Sequence, residues 1–235
     1  MKVILGFLFC LLLTKPMAQL FEQQVWVETG VKYNLTKKLG ASLDLTQRYG
    51  YDGLGTLFPQ VSFRYKVSSW FRPSIDYRVI LSKSLDGVYS TSQRVNGNLQ
   101  FSYTLKRVEA GLRIRYQYSF ERISEAYDSE FDQAWRIKPS VQYNIKGLPV
   151  TPELCAEFFY NPENSSKGNQ FNRIRYYGGA DIEFKHKQNI SVGVYFDQWI
   201  NGLPKKRVMY SLGYSIGLAT SKNTDKKPSK NLRDL

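Results

Sequence analysis

The sequence predicts an all-β protein, an antiparallel transmembrane β-barrel of about 10–12 strands. Three observations carry this. Past residue 20, apolar and polar residues alternate with a period of two almost everywhere, which leaves one face dry and one face wet. Most alternating segments run 11–13 residues, where globular strands average about 5–6 and a tilted membrane strand needs about 9–11. Short polar connections alternate along the chain with longer ones rich in Gly, Asp, Asn and Ser, the asymmetry of outer-membrane barrels.

The elements follow in order. Residues 1–18 read as a secretory signal peptide. A basic start at Lys2 precedes an apolar run from Val3 to Leu13, and a cut is expected after Ala18. Lys2 and Lys15 leave with it, taking the net charge from +13 to +11. Residues 19–219 hold the barrel. Its candidate strands are 23–35, 39–49, 57–67, 70–81, 93–105, 108–120, 130–145, 150–160, 170–184, 189–200 and 207–219. Eleven is an odd number, and single-chain bacterial barrels have even counts, so closure by ten or twelve strands is favoured over eleven joined through a parallel first–last pair. The segment 50–56 reads as one of the longer loops. Residues 220–235 read as a flexible basic tail, expected on the periplasmic side.

The wet face is assigned to the lumen and the dry face to lipid. Leu112, Ile114 and Tyr116 should face out, with Arg113, Arg115 and Gln117 facing in. The charged lumen set comprises Arg48, Arg64, Arg72, Asp76, Arg78 and Arg94. It continues with Glu109, Arg113, Arg115, Arg136, Glu153, Glu157, Arg173, Arg175, Asp181 and Glu183. Ion pairing across the barrel would offset the cost of burying these charges. Near strand ends, Tyr49, Trp70, Tyr118, Trp135 and Trp199 are expected in the membrane–water girdles, as is Phe58.

A resemblance appears at Gln24-Val25-Trp26-Val27, then Gly30-Val31-Lys32-Tyr33-Asn34-Leu35-Thr36-Lys37-Lys38-Leu39, then Asp44-Leu45-Thr46-Gln47-Arg48-Tyr49. A first hairpin with a Trp, an Asn-Leu-Thr-Lys-Lys turn and an Arg-bearing strand resembles a small outer-membrane barrel family. That family is catalogued as domain of unknown function 2490 and is common in Bacteroidota. Phe101-Ser102-Tyr103 and Arg113-Ile114-Arg115-Tyr116-Gln117 are similar to it too. The resemblance covers most of residues 20–219. It implies a fold and a Gram-negative outer-membrane location, and it carries no assigned reaction.

The functional expectation is a structural or accessory outer-membrane barrel with a charge-filled lumen, and not an enzyme. A narrow anion-favouring pore, a possibility raised by the 13 basic and 9 acidic wet-face residues, is the alternative. An outer-membrane hydrolase is a second alternative. It lacks a catalytic motif, because the only histidine, His186, falls in a short turn expected on the periplasmic side. Catalytic residues, metal ligands and cofactors are expected to be none. With one His and, after the signal, one Cys, the usual zinc ligand sets cannot form. Expected partners are outer-membrane lipid and a larger outer-membrane complex. Nucleic acid is not expected, because the basic residues are spread along alternating strands and offset by acids.

Overall fold

Alternation of this length closes into a single ring. The computed structural model describes residues 20–83, 87–120, 133–162, 170–200 and 205–218. The expected signal peptide and basic tail lie outside the described residues. The strands are β1 (Leu20–Asn34), β2 (Leu39–Gly50), β3 (Gly53–Tyr65), β4 (Phe71–Lys83), β5 (Tyr89–Leu105) and β6 (Val108–Ser119). They continue as β7 (Gln133–Tyr143), β8 (Val150–Asn161), β9 (Gln170–Glu183), β10 (Gln188–Trp199) and β11 (Lys205–Leu218). Each strand pairs with its chain neighbours, and β1 closes the barrel on β11.

That closure corrects the expectation of ten or twelve strands. All eleven segments are wall strands, so the first and last run in the same direction and pair in parallel. The seam is continuous over fourteen residue pairs, from Leu20 opposite Lys205 to Tyr33 opposite Leu218. A complete ladder leaves neither terminal strand with a row of unpaired amides, and this matters more than the direction of the pair.

The segment 50–56 is a second correction. Gly50 pairs with Gly53 across a two-residue turn, Tyr51-Asp52, and Gly53 adopts φ +86°. A side chain there would strain the backbone, so glycine is required. The register then shifts between Arg48 and Tyr49, which leaves Gly55 without a partner. Strand pairing resumes at Thr56, inside the span that reads as loop. β5 likewise starts at Tyr89, earlier than its alternation suggests.

The two faces separate as the pattern predicts. Leu112, Ile114 and Tyr116 point outward, and Arg113, Arg115 and Gln117 point inward. An outer row runs in register through Leu99, Ile114, Ile137, Phe158 and Ile174, across β5 to β9. Large apolar side chains are exposed all around the outside, from Val25 and Leu43 through Ile75 and Leu154 to Val194 and Leu212. The chain leaves β11 at the end where β1–β2, β5–β6 and β9–β10 are joined by short turns. This end is called the short-turn end below, and the opposite one the long-loop end.

Candidate functional site

With the apolar residues outside, the chemistry of the molecule lies in the lumen. Its two halves differ. Toward the long-loop end it is filled by buried side chains beneath a recess at the rim, and toward the short-turn end it opens.

Asp197 organises the packed half. It is fully buried, opposite Arg175 of β9 on one side and Arg207 of β11 on the other. Arg175 donates to both carboxylate oxygens, from Nε at 2.6 Å and Nη2 at 2.8 Å, and Arg173 Nη1 lies 3.4 Å away. Charge-assisted, bidentate hydrogen bonds of this kind are the strong ones. Aromatic rings fill the space between the cations. Arg173 lies 3.9 Å from the centre of the Phe159 ring, and Arg48 lies 4.0 Å from Trp26 and 4.3 Å from Phe58. Trp199 stands between Arg173 and Arg207. Ile80, Met209 and Ala134 complete this layer.

Two ion-pair groups lie nearer the middle. Glu157 accepts from Arg136 Nε at 3.0 Å and Nη2 at 2.8 Å, and from Arg113 Nη2 at 2.8 Å. Arg136 also donates to Gln117 Oε1. Asp76 accepts from Arg115 Nη2 at 3.0 Å and from Asn98 at 2.9 Å. Arg78 donates from Nε to Gln60 Oε1 at 2.8 Å. Toward the short-turn end, Lys138 pairs with Glu153 at 3.3 Å, and Arg72 donates to Ser102 at 2.7 Å. On the wall there, the Tyr177 ring lies over Gly179 and Gly193, where any Cβ would collide with it.

The structure therefore distributes the sequence-assigned lumen residues over three levels. Arg48, Arg94, Arg173 and Arg175 belong to the packed half. Arg78, Asp76, Arg113, Arg115, Arg136 and Glu157 line a central cavity of about 350 Å3. Arg64 joins that cavity to the mouth, while Arg72, Glu109, Glu153, Asp181 and Glu183 stand on inward positions nearer the short-turn end. His186 sits in the 3₁₀ turn Lys185–Lys187 at that end.

The aromatics divide. Tyr49, Tyr118 and Trp135 are on the outer surface near the long-loop end, with Trp135 against Tyr116 at 4.9 Å between ring centres. Trp70 lies at the short-turn end, tilted against Phe71 and stacked with Phe101. Trp199 and Phe58 do not join them. Both point inward and pack on arginines, and so do Trp26, which the sequence reading used only for the family resemblance, and Phe159, which it did not single out. Parity was the available signal: Trp199 shares a face with Asp197, Trp26 with Glu28, and Phe159 with Glu157.

Comparison with known proteins adds little beyond family. A model of a protein family described as "Protein of unknown function (DUF2490)" matches residues 23–224. No curated protein matches the chain. Among solved structures, the chain is similar to one from work described as "Unveiling the Mechanism Behind the in-meso Crystallization of Membrane Proteins". The identity is 12%, the coverage is 80% of each chain, and the TM-score is 0.45.

Proposed function

The chain belongs to the DUF2490 family of proteins of unknown function, and on that premise we propose that it is a non-conducting, non-enzymatic barrel of a Gram-negative outer membrane, with a structural or accessory role. The exposed apolar belt supports the membrane assignment, because apolar surface of this extent on a soluble monomer would drive association. The signal-like start of the sequence agrees with it. One observation carries the closed lumen: Asp197, Arg173, Arg175, Arg48 and the rings of Trp26, Phe58 and Phe159 interlock across the barrel with almost no exposed surface. Barrels of about 8 strands are filled by side chains and those of 16–18 carry water. An eleven-strand ring is near the lower limit, and its long arginines and aromatics have the bulk to fill it.

Planar-bilayer recording of the refolded protein tests this reading. A silent barrel is expected. Unitary steps with anion selectivity would instead establish the narrow pore. One observation favours that second reading: a recess at the long-loop rim and the central cavity meet at a single shared residue, Arg48.

A further inference from the structure

Basic side chains outnumber acidic ones where the lumen opens to the short-turn end. The central cavity is walled by nine Lys and Arg side chains against four carboxylates. A smaller recess of about 40 Å3 at the mouth is walled by Lys32, Lys37, Lys38, Arg64, Lys66 and Arg72, with no carboxylate. Lys32, Ser42, Ser62 and Arg64 line both.

Strand register builds this junction. Lys32 pairs with Ser42 and Ser42 with Ser62, so the three form one row across β1, β2 and β3. Arg64 is the next inward residue of β3 toward the mouth. Among the described residues, neither Lys32 nor Arg64 makes a direct hydrogen bond or salt bridge; Lys32 feels Glu28 and Asp44, and Arg64 feels Asp44 and Asp76, only at longer range. Arg113, deeper in the cavity, holds Glu157 through Nη2, while its Nε is buried without a hydrogen-bond partner. Asp44 and Glu28 face the same space from β2 and β1. They accept from Ser42 at 2.8 Å and from Thr46 at 3.4 Å, and they offset only part of the excess.

Cations held inside a wall that faces hydrocarbon are costly unless a counter-charge accompanies them. We propose that the junction binds a small soluble polyanion carrying two or more phosphate or carboxylate groups. It enters from the short-turn end and stops at the packed half. Lys32 and Arg64 hold one anionic group at the mouth, with Arg64 supplying a planar fork that matches phosphate or carboxylate oxygens. Arg113 meets a second group deeper in. The volume, at the low end of the ~300–1,000 Å3 typical of ligand pockets, sets the size class. The site rests on the closed-lumen reading for its dead end alone.

The experiment is titration calorimetry of the full chain in neutral detergent, with sodium tripolyphosphate as the probe. Saturable uptake of one equivalent is expected. It should weaken about tenfold or more in Lys32→Gln/Arg64→Gln. Lys146→Gln/Lys185→Gln removes the same charge from exposed turns outside both recesses, and it should bind as the wild type does. Equal weakening in both double variants would reduce the effect to bulk attraction and overturn the site. Absence of saturable uptake by the wild type would overturn it whatever the variants do. Phosphatidylglycerol added to the micelles should leave uptake unchanged, whereas displacement by that lipid would overturn the soluble-anion assignment. Conductance steps in the bilayer recording would overturn the closed lumen and leave this binding measurement to stand or fall separately.

Discussion

Arg48 lies between the faces of Trp26 and Phe58, and the rim recess and the central cavity touch at its side chain. Arg48→Ala removes the long side chain and leaves the strand pairing intact. Cation–π contacts are worth about 0.5–2 kcal/mol each, so the barrel should still fold. The expected outcome is a small conductance in planar bilayers where the wild type has none, with the heat-dependent gel shift of a folded barrel retained. Asp197 answers differently. It holds two buried guanidiniums, and Asp197→Asn leaves their charge uncompensated, which costs about 3–5 kcal/mol. A lowered urea midpoint in refolding titrations would read this loss. Asp76→Asn, which serves one arginine, should lose less. Residue-scale legibility followed the same division. Parity placed every charged lumen residue on an inward position, because a charge has only one tolerable side. It did not place Phe58 or Trp199, because an aromatic ring suits a membrane interface and a guanidinium face equally well.

At the scale of elements, alternation and chain order were enough to find the strands, but not to find the closure. Hairpin neighbours are decided locally. The partner of β1 is decided by which edge remains after ten hairpins, and no residue in β1 or β11 announces it. The β2–β3 hairpin was hidden for a local reason: Gly53 and Gly55 interrupt the alternation, and the bulge at Arg48/Tyr49 shifts it. The parallel seam is directly testable. Val27 and Leu212 are register partners and both point outward. In a Cys155→Ser background, Val27→Cys with Leu212→Cys should cross-link on oxidation. Val27→Cys with Leu218→Cys should not, because an offset of six residues at about 3.3 Å each exceeds the Cα separation a disulfide spans. Cross-linking of the offset pair alone would mean a slipped seam.

For the whole molecule, an odd strand count has a topological consequence that an even barrel lacks. β1 begins at the long-loop end and β11 finishes at the short-turn end, so the two termini of the wall lie on opposite sides of the belt. Barrels that insert from the periplasm keep their short turns there and expose their long loops outside. If the barrel lies in an outer membrane as proposed, that rule turns the open, cation-lined mouth to the periplasm and the packed half to the exterior. This is the polarity expected of a barrel that meets an anion from inside the cell envelope and passes nothing outward. Two exposed turns test it, since insertions are tolerated best at exposed tips. The Tyr51-Asp52 turn protrudes at the long-loop end, and the turn around Gly147 lies at the other. An epitope placed between Tyr51 and Asp52 should be labelled on intact cells. One placed between Gly147 and Leu148 should be labelled only after the outer membrane is permeabilised. The reverse pattern would turn the barrel over and open the anion mouth to the medium. The site would then have to draw its ligand from outside the cell, with the packed half as the barrier on the periplasmic side.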